Sequence, residues 1–150
     1  MTRREAAEHN FTEGYNCTQS VIKAFSDLIP MEEQALISMV SPLGGGMGRL
    51  REVCGAVSGM FLVLGALYGY ADPQDKVAKA ELYREVQELA ASFEAENGSI
   101  VCRELLGLSV KKEQPVPEDR TAAYYAKRPC KELVGCAAAL LEEFIRCHPQ

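Results

Sequence analysis

The chain has 150 residues, 47% apolar and 25% charged, a balance that excludes wholesale disorder and suits one compact core. Its 16 Lys and Arg stand against 21 Asp and Glu, a formal charge of -5 with no basic stripe to release counterions from a phosphate backbone, which argues against nucleic acid as a partner. The only histidines are His9 and His148, near the two ends, so histidine general-base or multi-histidine metal chemistry has little material; with six copies, cysteine is the residue in surplus.

Residues 1–9 carry Arg3, Arg4, Glu5 and Glu8 and no apolar run, so no secretory signal is read there and a cytoplasmic location is expected. In a reducing compartment, surplus cysteine points to metal binding or redox chemistry rather than structural disulfides, with inert buried thiols as the plain alternative. From Cys17 to Leu28 apolar residues recur at three and four, with Asn16 placed to cap the helix and Pro30 closing it. A shorter helix is predicted over Glu32 to Val40, ended by Ser41-Pro42. The next stretch, Gly44-Gly45-Gly46-Met47-Gly48, fits neither glycine-rich nucleotide motif. It reads as a tight reversal that lets backbone pass close to another group; the sharper reading is a nest of amides at Gly44, Gly45 and Gly46 facing an anion or a sulfur.

Residues 53–71 carry no charge and are long enough on hydropathy to be weighed as a membrane span, with Gly55-x-x-x-Gly59 and Gly65-x-x-x-Gly69 inside. Their glycines, Ser58 and two tyrosines, and the amphipathic helices around them that need a shared surface, favour a central buried helix instead. Glycines at spacing four would let its neighbours approach closely, and would also tolerate a helix-packed homodimer. A long helix is expected with Asp72 as cap, Pro73 in the first turn, a stripe from Val77 to Phe93, and Asn97-Gly98 as the stop. Ser99 suits the cap of a short helix through Leu106; Ser109 to Pro117 reads as a surface connection, and Asp119 to Ala126 as a short helical piece. Tyr124 and Tyr125 on that piece read as core or core edge. Pro129 then starts a last helix whose Leu133, Val134, Ala137, Leu140, Leu141, Phe144 and Ile145 form a wide apolar face. The expected fold is all-α: a single domain over residues 1–150, a helical bundle whose central glycine-spaced apolar helix is wrapped by amphipathic ones.

On this reading Cys17, Cys54, Cys102 and Cys130 each fall in the first turn of a helix. Unpaired amides and the helix dipole there bias a thiol toward thiolate, the form that is nucleophilic, oxidisable and metal-binding. Arg128 and Lys131 would add to this at Cys130. Cys136 and Cys147 lie within the last helix, eleven residues apart and about 16 Å from each other, so they cannot pair and are read as bystanders. No two cysteines make C-x-x-C, so any joint action of the four must come from tertiary packing.

The elements Asn16-Cys17-x-Gln19-x-Val21, Gly44-Gly45-Gly46-Met47-Gly48 and Cys54-Gly55-Ala56-x-x-Gly59 with Leu64-Gly65, followed by Cys102 and Cys130, resemble the redox-active protein family designated by its C_GCAxxG_C_C pattern. The resemblance runs from Gly14 to Leu141 in the family's order, and implies that Cys17, Cys54, Cys102 and Cys130 are its characteristic cysteines.

Three functions are open to such a chain. The first is a thiol-dependent oxidoreductase that needs no cofactor, in which two of the four thiols, led by Cys54, cycle between dithiol and disulfide with a redox partner. The second is a metal protein in which Cys17, Cys54, Cys102 and Cys130 hold zinc or an iron–sulfur cluster. The third is a non-catalytic helical domain that binds a partner and whose cysteines merely pack.

Overall fold

The structure is a computed structural model that describes residues 1–109 and 112–150. The described residues form eight right-handed helices and no strand beyond one isolated bridge, so the fold is all-α. The first helix, α1 (Arg3–Thr12), has no counterpart in the sequence reading. Thr2 and Glu5 form a reciprocal capping box at its start, and its inner face buries Ala7, Asn10 and Phe11. Helix α2 (Cys17–Ala24) ends earlier than its periodicity predicts, because the chain tightens into a 3₁₀ turn over Ser26–Leu28 before Pro30. Helix α3 (Glu33–Val40) uses the Glu32 carboxylate as its cap.

Helix α4 (Gly55–Tyr68) is the apolar helix expected at the centre, and its first ten residues are fully or half buried. It packs against α2 and α8 (Cys130–Cys147), while α1 runs along α2 and α8. No helix among the described residues is long and apolar enough to cross a membrane. The glycine expectation holds for one pair only. At Gly59 an added Cβ would stand 2.9 Å from Val21 Cβ, and at Gly55 2.9 Å from Thr18 Oγ1, so α2 crosses α4 over these two positions. Gly65 instead faces open space, and Gly69 ends the helix by donating its N–H to Gly65 O at 2.9 Å.

Helix α5 (Lys76–Asn97) starts later than predicted: Asp75, not Asp72, caps it, accepting from Ala78 N at 3.0 Å. Asp72 spends its carboxylate on Gln74 N in the preceding turn. Gly98 stops the helix in the left-handed conformation at φ 91°, as the sequence indicated. Only Leu89 and Phe93 of its stripe are buried; Val77 and Tyr83 are exposed because the helix outruns the core beneath it. Two short helices, α6 (Cys102–Leu105) and α7 (Ala122–Lys127), precede α8. Of the expected connection at 109–117, Val110 and Lys111 lie outside the described residues. The core is closed by Phe11, Ile22, Phe25, Met60, Leu64, Phe93 and Leu141, all essentially without solvent contact.

Four thiols around one cavity

The motif at α2 is first a capping device. Asn16 Oδ1 accepts from Gln19 N at 2.9 Å, and Asn16 N donates to Gln19 Oε1 at 3.1 Å, so residues 16 and 19 fix the start of the helix and the direction of Cys17. Asn16 Nδ2 also reaches Ser41 O at 3.0 Å and ties α2 to the chain leading into the glycine stretch. Next to it, Thr18 Oγ1 donates to Gly55 O at 2.8 Å, joining the first turns of α2 and α4. Cys17 and Cys54 therefore face the same space.

The glycine stretch is a left-handed turn. Gly45, Gly46, Met47, Gly48 and Arg49 all have φ between 62° and 70°, and Gly48 N bonds Gly44 O at 2.8 Å, which closes one left-handed helical turn. The reversal brings backbone against Cys102: a Cβ on Gly46 would lie 2.6 Å from Cys102 Cβ. Beyond it, Arg51 also has positive φ, at 57°, and Val53 bridges Val101 in antiparallel fashion. Cys54 N donates to Ile100 O at 2.8 Å and Cys102 N to Glu52 O at 2.5 Å. This clip sets the start of α6 beside the start of α4, so Cys102 joins Cys54. Finally α8 enters with Cys130 as its first residue.

All four sequence-selected cysteines thus stand at helix starts, and all four line one cavity of about 270 Å³, together with Gly44, Gly45 and Gly46. Cys136 and Cys147 stay outside it: Cys136 donates to Glu96 Oε2 at 2.9 Å, and Cys147 is exposed. Lys131 is exposed as well and lines no part of the cavity, whereas Arg128 does. Tyr124 lines it too, while Tyr125 packs edge-on against Phe11.

Helix starts alone do not make thiolates here. Burial pushes the Cys54 thiol up to about 12, although the amides of Ala56 and Val57 point at its sulfur and pull the other way. Burial likewise raises Cys102, against the opposing hydrogen bond from Arg51 Nη1 at 3.5 Å. Cys130 alone among the four is pushed down, first by the thiol of Cys17, which donates a hydrogen bond to its sulfur, and then by the positive charges of Arg128, Arg51 and Arg120, with burial opposing. The same bond, followed by burial, holds Cys17 well above the ordinary thiol value. Cys17 and Cys130 therefore influence each other directly, and the shift toward the thiolate falls on Cys130 and not on Cys54.

The arginines that surround this pair were largely invisible in the sequence. Arg51 is 5% exposed and gives Nε to Glu113 Oε1 at 2.6 Å. Arg120 donates to Phe11 O at 2.7 Å and Tyr15 O at 2.9 Å, with its guanidinium 4.1 Å above the Phe11 ring. Arg128 pairs with Glu118. These contacts span 62 to 109 residues of sequence in the cases of Arg51 and Arg120, so no local pattern announces them. Among the described residues, no group of three or more His, Cys, Asp or Glu side chains is arranged to hold one metal ion.

No curated protein and no solved structure gives a match to the chain. The family model described as "Putative redox-active protein (C_GCAxxG_C_C)" matches residues 15–144, which include all four cavity cysteines, the left-handed glycine turn and the α2–α4 crossing. With most of its length matched, the chain belongs to the C_GCAxxG_C_C family.

Proposed function

We propose that the chain is a dithiol–disulfide redox protein in which Cys130 is the attacking thiolate and Cys17 the resolving thiol. The observation that carries this reading is that Cys17 and Cys130 stand as interacting neighbours on the wall of one cavity that Arg51, Arg120 and Arg128 also line. A thiolate is the nucleophile in disulfide exchange, and a neighbouring thiol within reach is what resolves the mixed disulfide. The order of attack follows from charge. While Cys130 is a thiolate, it holds the proton on Cys17; once Cys130 has become a neutral mixed disulfide, that hold is gone and Cys17 can ionise. Cys54 and Cys102 remain neutral near pH 7 and complete the cavity wall without competing for the substrate's sulfur.

Protein purified without oxygen is expected to titrate as six thiols, fall to four on mild oxidation, and return to six on reduction, with peptide mapping giving a Cys17–Cys130 disulfide. Cys130→Ser should abolish the change. Six thiols in both states would sink the reading and leave a packing role. Stoichiometric iron or zinc that is lost in Cys54→Ser would replace it with metal carriage.

A further inference from the structure

The wall of the cavity carries more positive charge than the dithiol needs. Four arginines, Arg49, Arg51, Arg120 and Arg128, line it, against Glu118 on the wall and Glu113, which pairs with both Arg49 and Arg51. Two carboxylates therefore meet four guanidinium groups that cannot lose their charge. The positive ends of α2, α4 and α8, each eight residues or longer, point into the same space through Cys17, Cys54 and Cys130. Holding this much like charge together in an acidic protein is unfavourable unless something negative enters. The cavity is also small: about 270 Å³ sits just below the usual range for drug-sized ligands and matches a small molecule.

We propose that the substrate of this site is a small disulfide bearing anionic groups, taken up by the arginine wall and reduced by the Cys17–Cys130 pair. The proposal rests on the dithiol reading above and adds the substrate class. In the reaction the Cys130 thiolate attacks one substrate sulfur, the substrate's S–S bond breaks, and the first small thiolate leaves with the electron pair and takes up a proton. The Cys17 sulfur, giving up its proton, then attacks Cys130 Sγ in the mixed disulfide and expels the second small thiolate. One small disulfide becomes two small thiols, and the protein dithiol becomes one disulfide. Two electrons pass from protein to substrate, and a single turnover needs no further reductant.

The test is a single-turnover comparison on reduced full-length protein of three disulfides of similar size: dianionic 3,3′-dithiodipropionate, neutral bis(2-hydroxyethyl) disulfide and dicationic cystamine. Each rate is divided by the rate of the same disulfide with a small free thiol, which removes differences in leaving group. The corrected rates are expected to fall from dianion to neutral to dication by about tenfold or more at each step, and to converge as salt is added. In Arg128→Gln the thiolate of Cys130 is less favoured for every substrate, but the ratio of dianion to neutral rate should also drop several-fold. Equal corrected rates for the three, with a Cys17–Cys130 disulfide formed in each case, would overturn the anionic substrate class and leave the dithiol reading standing. Failure of all three to oxidise Cys17 and Cys130 would overturn the dithiol reading as well.

Discussion

At the scale of single residues, the four cavity thiols separate a local effect from a global one. Each has a helix start beneath it, yet only Cys130 is drawn toward thiolate, because burial outweighs two directed amides at Cys54 and one guanidinium at Cys102. A helix terminus contributes its charge within one turn of chain, whereas desolvation depends on everything that packs around the sulfur. The raised Cys54 thiol has a consequence for stability. Its value rises from 9.0 to about 12 on folding, so the folded chain holds this proton more tightly than the unfolded one. The stabilisation is fully present below about pH 9 and is lost as pH climbs toward 12, with a slope of up to about 1.4 kcal/mol per pH unit. Urea unfolding of wild type and Cys54→Ser at pH 8, 9 and 10 should show the serine variant losing less stability over that window. Parallel losses in the two proteins would remove Cys54 as the cause.

At the scale of elements, glycines at similar spacings do different things, and the sequence alone did not separate them. Gly55 and Gly59 let α2 cross α4, Gly45 and Gly46 adopt left-handed backbone, and Gly65 touches nothing. Two substitutions test this division. Gly46→Ala would set a Cβ 2.6 Å from Cys102 Cβ at φ 66°, so a loss of about 2–4 kcal/mol is expected from clash and strain together. Gly65→Ala fills open space in a helix and should gain about 0.5–1 kcal/mol. Chemical denaturation of both variants gives the answer, and similar effects at the two positions would contradict the geometry. Helix ends were read well where a cap is local, as at Asn16 and Gly98, whereas the short helix expected over Asp119 to Ala126 starts later, at Ala122, with Thr121 as its cap. They were misread at Asp72, where two aspartates three residues apart compete for one helix start and the chain uses the second.

On the scale of the whole molecule, Arg120 fastens the segment around α7 to the far end of α1 and thereby roofs the cavity. Its two hydrogen bonds to Phe11 O and Tyr15 O join positions more than 100 residues apart. Arg120→Ala would leave both carbonyls without that partner, a cost of about 2–3 kcal/mol that falls on the roof and not on the α1–α8 contact. Hydrogen exchange in this variant should therefore accelerate at Tyr124 and Tyr125, with the amides of Val134 to Leu141 still protected. Uniform acceleration throughout would mean that the clamp supports the core and not the cover.

The sequence by itself determined the helical class, the position of the apolar central helix, the helix starts that carry the four cysteines, and the family. Those features depend on residues within about one helical turn of each other, through capping, periodicity and motif order. Only the tertiary structure decided that the four thiols share one cavity, that Cys17 and Cys130 stand next to each other in it, and that Arg49, Arg51 and Arg120 join Arg128 along its wall. Burial and charge at a point in space are sums over the chain, and no local stretch of sequence contains them.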